Sequence, residues 1–408
     1  MTETSFHLPK ALLHSAVGTF CWMLGYLLIL FVLGKYWGSE LFGLFNLIIT
    51  FSYVVSLVLL FGIDTGVTYF LSRGKDYKNP PSQVWKMAMN VLGDRKKLIF
   101  TSLVIIFLFA LYLTGINGAI SSIILGVAYA FRTLADARLR GLMMFRNQAR
   151  IKILELAILA VGASVCLIID DKLIIYPVLF MTGAYISTYA LATLLSRPHP
   201  TASKEQKLSL VEFNQYSVWA GIGGVGGLVM AYLDKPMVRV AFDLTTVGLY
   251  SAYYFWAMAG VNTLIALAIN VLFPIVSAHK NKIELKLRLD WWTKRVSFAV
   301  LAGIFFLIRI GIELFGGEYV FDPALAGAWT VYAGLFFYCN ILWWLINAYG
   351  VRGIRFTAIT SLVSYGLVGL MIVLAGKGLS LTGLVLVMAL GLGLNIILAN
   401  KIFKFAVD

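Results

Sequence analysis

Three charged residues share one face of a single apolar segment: Arg132, Asp136 and Arg140, spaced i, i+4, i+8. On a helix Asp136 can pair with either arginine, and the face stays net positive. Such a face either binds an anionic group such as a phosphate or forms a structural ion pair. In the second case Arg138 and Arg140 reach out of the membrane to water. For Arg132 both readings stand. On the first, Arg132→Ala abolishes function without lowering protein level.

Asp64, in Phe61-Gly-Ile-Asp-Thr-Gly66, is a lone carboxylate in an apolar run. It could carry a proton or sodium ion, or cap or pair with a neighbouring helix. Lys235 and Arg239 are i, i+4 between Asp234 and Asp243, and Pro236 between them suits only a helix start. Either they point inward at the mouth of a cavity, or the segment is an exposed loop. Arg309 can pair with Glu313, four residues on. Glu155 lies close to Lys152 and reads as an interfacial pair. The candidate cavity cations are therefore Arg132, Arg140, Lys235, Arg239 and Arg309, and Asp64 is the candidate for ion coupling.

Nothing else in the chain suggests chemistry. There is no HExxH, P-loop or nucleotide fingerprint, and no Ser or Cys nucleophile beside a His. The reading is not an enzyme, with no cofactor. Cys21, Cys166 and Cys339 lie far apart inside apolar runs and show no metal spacing. The four histidines form no ligand cluster.

The elements that position these residues follow from composition. The 408 residues are 60% hydrophobic and only 13% charged, with a mean hydropathy of +0.87. That excludes a soluble domain, disorder, collagen and coiled coil. Runs such as Leu98–Thr114 and Ile153–Ile169 are helix-length, which excludes a transmembrane barrel. Candidate spans are roughly 11–34, 41–71, 98–114, 117–140, 149–169, 174–196, 213–233, 246–274, 294–315, 325–349, 356–375 and 380–400. The first is too long for the apolar core of a cleaved signal peptide and reads as an uncleaved span. The long loops are read as 73–97 and 280–295. Aromatics near the predicted interfaces (Trp37, Trp85, Trp291, Tyr319) read as a belt.

The net charge of +14 becomes a topology label. With the N-terminus inside, 24 of the 33 Lys and Arg fall on the inner side and 5 on the outer. Both termini are then cytoplasmic. Charge spread over many loops suits an anionic leaflet and not nucleic acid.

The chain also reads as a repeat. Leu41-Phe-Gly-Leu-Phe45 and Thr246-Val-Gly-Leu-Tyr250 open spans two and eight, with Gly43 and Gly248 about half a chain apart. Six spans per half make a parallel repeat about an axis along the membrane normal. The expected division is an N-terminal lobe over 1–196, a cytoplasmic linker over 197–208 and a C-terminal lobe over 209–408. Gly221-Ile-Gly-Gly-Val-Gly-Gly227 suits a gating helix or close packing.

Four features carry a family resemblance. They are Leu33-Gly-Lys-Tyr-Trp-Gly-Ser-Glu-Leu-Phe-Gly-Leu-Phe45 with Phe61-Gly-Ile-Asp64; Asp234 with Val247-Gly-Leu-Tyr-Ser251 and Asn270-Val-Leu-Phe-Pro274; Leu314-Phe-Gly-Gly-Glu-Tyr319; and the length and twelve-span layout. On these the chain resembles a Wzx-type oligosaccharide flippase of the polysaccharide exporter group, in the MATE-like (MOP) superfamily. The resemblance implies an all-α polytopic membrane protein, a V-shaped transporter of two pseudo-symmetric six-helix lobes. It implies export of an undecaprenyl-diphosphate-linked oligosaccharide across a bacterial inner membrane, for O-antigen, capsule or exopolysaccharide. Its partners would be that lipid-linked substrate, membrane lipids, and the polysaccharide polymerase and chain-length proteins. The alternative is an ion-coupled drug or small-solute antiporter of the same superfamily.

Overall fold

The computed structural model describes residues 8–72, 81–196, 209–278, 282–375 and 378–407. Among them every regular element is helical. The first helices are α1 (Leu8–Val32), extended by a π-helical turn at Leu33–Trp37, then α2 (Ser39–Leu60) and α3 (Ile63–Ser72). There follow α4 (Pro81–Asp94), α5 (Lys96–Gly141), α6 (Phe145–Ile168) and α7 (Ile175–Leu195). The second half holds α8 (Leu210–Tyr232), α9 (Asp234–Ala241), α10 (Leu244–Ala278), α11 (Lys282–Phe315), α12 (Pro323–Asn347), α13 (Val351–Ala375) and α14 (Leu381–Val407).

Nine of the described helices are long and apolar enough to cross a membrane. The longest, α5, contains Gly115 at φ 73°, ψ 177°, so it is two crossings joined at one residue. With α8 and α11, of 23 and 34 residues, the twelve expected crossings are present. Three expectations change. Span two breaks at Phe61 and Gly62, both at positive φ, into α2 and α3. Most of the loop expected at 73–97 is helix α4, and most of that at 280–295 is the start of α11. The linker 197–208 lies outside the described residues.

Local chemistry sets several helix starts. Ser209 accepts from the Glu212 amide, in the Ser-x-x-Glu capping pattern. Asp322 accepts from the Ala324 amide, with Pro323 as the first helical residue. Asp243 accepts from the Thr246 amide ahead of α10.

Packing repeats between the halves. In the first, α1 packs on α6, α2 on α5, and α7 on both α5 and α6. In the second, α8 packs on α13, α10 on α11 and α12, and α14 on both α12 and α13. Helix contacts between the halves are made chiefly by α2 on α10, α1 on α10 and α3 on α8. Gly43 and Gly248, paired by the repeat, face each other. A Cβ on Gly43 would sit 2.4 Å from the Leu244 carbonyl oxygen, and one on Gly248 would sit 2.0 Å from that of Ser39. A repeat-related pair in mutual contact marks the pseudo-two-fold axis.

The halves meet at both ends of the bundle. The basic end carries Arg95, Lys96, Arg146 and Arg352. There the Tyr69 and Tyr216 rings stack at 4.3 Å, flanked by Phe70 and Phe213. Gly62 and Gly66 also press on Ser217. At the opposite end Phe315 is ringed by Phe31, Phe42, Phe255 and Trp256. The halves are thus in contact at both ends of a space between them. Gly221 and Gly224 abut Phe61 and Leu57, and Gly223 and Gly226 abut Ala358 and Ser361. The glycine stretch is a close-packed face on both sides.

The Gly43–Gly248 contact is testable. Gly248→Ala should destabilise the detergent-solubilised protein by about 1–3 kcal/mol through overpacking against backbone. Gly260→Ala, where a Cβ meets nothing within 4 Å, should leave thermal unfolding unchanged or raise its midpoint.

Candidate functional site

Helices α5, α6 and α7 build a buried charge network inside the first half. Arg132 Nε donates to Glu155 Oε1 at 2.9 Å, and its Nη1 lies 3.6 Å from Asp136 Oδ2. Lys152 Nζ is 3.8 Å from that same oxygen. Gln148 donates to Asp136 Oδ1 at 3.2 Å, and Thr188 on α7 donates to Glu155 Oε2 at 3.3 Å. The rings of Trp22, Tyr129 and Tyr185 lie 4.9, 5.8 and 5.2 Å from the guanidinium. Arg132 and Lys152 balance Asp136 and Glu155, and α6 adds one charge of each sign, so with Arg140 the net positive charge read from α5 persists.

The network corrects the pairing expected of Glu155. Its nearest cation is Arg132, not Lys152, and it is 1% exposed rather than interfacial. Glu155 is ten residues into α6, about 15 Å along the helix, and Lys152 is buried with it rather than lying in a loop. Arg132 sits behind Tyr129 and Trp22, which line the space between the halves. Breaking a buried pair strands the partner charge, so Glu155→Ala or Arg132→Ala should cost about 3–5 kcal/mol. Reduced membrane yield and a lower unfolding midpoint are the readouts.

The space between the halves is three adjoining cavities. One of about 170 Å³ holds Lys235, Tyr254, Asn46 and Asn262 in its lining. The next, about 290 Å³, shares Tyr53, Tyr129, Tyr232 and Phe336 with it and adds Asp64 and Asn340. The third, about 190 Å³, continues past Asn340 to Thr65 and Asn347 at the basic end. Tyr53 lies edge-on to Tyr129 at 4.6 Å and tilted against Tyr232 at 4.7 Å, so both halves contribute to one aromatic surface.

Lys235 is the cation that reaches this lining. Helix α9 turns it inward, 3% exposed, with its ammonium 3.5 Å from the Tyr254 ring centre and 3.8 Å from Asp234 Oδ1. The segment is a helix with Pro236 third in it, where a proline costs no hydrogen bond. The exposed-loop reading of this segment is overturned.

The other candidates are dispersed. Asp64 lines the middle cavity at the start of α3. Arg140 is half-buried in the last turn of α5, within electrostatic range of Asp64 and Asp136. Arg239 is half-buried in the last turn of α9. Arg309 lies outside the three cavity linings above: its side chain is 60% exposed and paired with Glu313 at 3.2 Å on the flank of α11. The tyrosines are the feature that residue spacing missed. They come from six helices, α1, α2, α5, α8, α10 and α13, and no local pattern in any one of them marks the inward residue. Among the described residues no cluster of His, Cys, Asp and Glu could hold a metal ion.

No curated protein matches the chain significantly. Solved structures do. An outward-facing multidrug resistance MATE family transporter of the MOP superfamily superposes with a TM-score of 0.65 at 14% identity, over 98% of this chain and 95% of that one. An inward-facing one gives 0.63 at 12% identity, over 94% and 93%. A MOP superfamily transporter from Pyrococcus furiosus gives 0.68 at 12% identity, over 98% and 95%. That protein is described as having a binding pocket of reverse polarity that suggests a different function. These identities establish the fold. The family is established by the match of residues 8–280, about two thirds of the chain, to the model for polysaccharide biosynthesis proteins. The chain is a multi-pass membrane protein with the fold of the MATE transporters of the MOP superfamily, and it belongs to the polysaccharide biosynthesis protein family.

Proposed function

We propose that the protein moves a diphosphate-linked oligosaccharide lipid from the cytoplasmic to the periplasmic leaflet of a bacterial inner membrane. The product would feed a polysaccharide polymerase and chain-length proteins making surface glycan. The lobes are 1–196 and 209–408, joined by a cytoplasmic linker at 197–208. The charge asymmetry of the loops supports a cytoplasmic position for both termini and the basic end.

The carrying observation is Lys235, buried beside an aromatic surface in the cavity between the halves. A buried ammonium suits a diphosphate, which offers several anionic oxygens to one point charge. Tyrosine faces and edges, with Asn46, Asn262 and Asn340, suit sugar rings and their hydroxyls. With the halves in contact at both ends, transport requires one end to open while the other stays sealed. Asp64, in the adjoining cavity, is the group we assign to ion coupling.

Removing Lys235 alone would strand Asp234, so the test uses a neutral pair. Asp234→Asn with Lys235→Met should leave protein level unchanged and lower flipping of a defined lipid-linked oligosaccharide in proteoliposomes by about tenfold or more. Undiminished flipping refutes the role of Lys235. A deletion strain separates the two readings. Lipid-linked oligosaccharide held on the cytoplasmic face supports the flippase. Altered drug tolerance with intact surface glycan supports the antiporter.

A further inference from the structure

We propose that helix α2 is held at its two ends by oppositely charged latches, Glu318 and Arg95, whose balance sets which end of the cavity opens. The inference rests on the transport reading above, but its test reads conformation rather than transport.

The first latch closes the opposite end. Helix α2 supplies no side-chain cap of its own, since Gly38 precedes it at φ 89°. The cap comes from the other half of the molecule. The Glu318 carboxylate accepts from the Ser39 amide at 2.8 Å and from the Ser39 hydroxyl at 2.7 Å. A carboxylate at a helix N-terminus meets both unpaired amides and the positive end of the helix dipole. Its segment is the Leu314-Phe-Gly-Gly-Glu-Tyr319 motif, and every side chain in its second half is used. Gly316 and Gly317 take positive φ, 78° and 27°, to turn the strap. Phe315 presses against Gly34, and the Tyr319 hydroxyl donates to the Gly34 carbonyl at 3.1 Å.

The second latch closes the basic end. Phe61 ends α2 in the left-handed conformation. Arg95 Nη1 donates to the Phe61 carbonyl at 3.2 Å, and its Nη2 donates to Asn214 Oδ1 on α8 at 2.8 Å. A cation therefore meets the negative end of the same helix and reaches across to the second half. The two latches use one physical device with the sign reversed. Opening either end breaks the contacts that cross between the halves there, Ser39 with Glu318 or Arg95 with Asn214, and leaves those at the other end intact.

The latches differ in their response to pH. Hydrogen bonds from Ser39, then the nearby Lys172 charge, hold the Glu318 carboxyl below its usual range. Lys172 itself donates to the Tyr36 carbonyl, and Glu40 lies in the first turn of α2. Closure of the opposite end is therefore complete at neutral pH and is lost as pH falls through the depressed value. Arg95 stays charged throughout.

The test places Ser56→Cys, in the middle cavity lining, in a background with Cys21, Cys166 and Cys339 replaced by Ala. The full-length protein is reconstituted, and a membrane-impermeant maleimide is added from one side or the other. Glu318→Gln should raise labelling from the opposite end by about tenfold, the ratio expected for losing a charge-assisted hydrogen bond. It should leave labelling from the basic end unchanged. Arg95→Gln should do the converse. Lowering pH should mimic Glu318→Gln in the parent and do nothing further in that variant. Unchanged labelling overturns the proposal. So does a rise from both sides in either variant, which marks general loosening, or an acid response that survives Glu318→Gln.

Discussion

Two backbones touch where Gly43 meets Gly248, and much of the architecture depends on that contact. With a Cβ 2.0–2.4 Å from a carbonyl oxygen, neither position admits a side chain. The contact holds α2 and α10 face to face on the pseudo-two-fold axis, and the repeat then places every other helix. Because the approach is confined to the ends, the middle is left open. There the halves stand apart around Tyr53, Tyr129 and Tyr232. Close packing at the ends and space in the centre are two sides of one geometric fact.

Charge is sorted by the same geometry. Inside the first half, four ionised groups cancel across α5 and α6, as a low-dielectric interior demands. Between the halves, Lys235 faces polar and aromatic side chains and a single carboxylate. The first arrangement holds helices to one another. The second leaves a cation at the lining of the cavity. Arg309, on the flank, does neither, because water and headgroups already solvate it.

Much of this was legible from the chain alone. Apolar run length gave the crossings, because bilayer thickness acts on each segment separately. The repeat was visible at Gly43 and Gly248 because symmetry reuses a sequence where it reuses a contact. What was hidden depended on a second helix. Glu155 was matched with Lys152 because its partner Arg132 lies on α5, and helical spacing reports only neighbours on the same helix. Lys235 looked equally suited to an exposed loop, because nothing local shows which way an eight-residue helix faces. The break at Phe61 was hidden for a similar reason. It occurs inside an unbroken apolar run, and only Gly62, pressed against the Ser217 carbonyl, requires it.

That break gives α2 and α3 a mechanical character. A continuous helix through the membrane would be a rigid rod, and tilting one end would drag the other. With Phe61 and Gly62 as a knuckle, α2 can swing about its contact with α10 while α3 stays seated on α8, or the reverse. Each seal then serves as the fulcrum for opening the other. Over a bilayer core of about 30 Å, a rotation of roughly 10° at one fulcrum displaces the far end by about 5 Å. That is wider than a tyrosine ring is thick, and enough to part the Tyr69–Tyr216 stack.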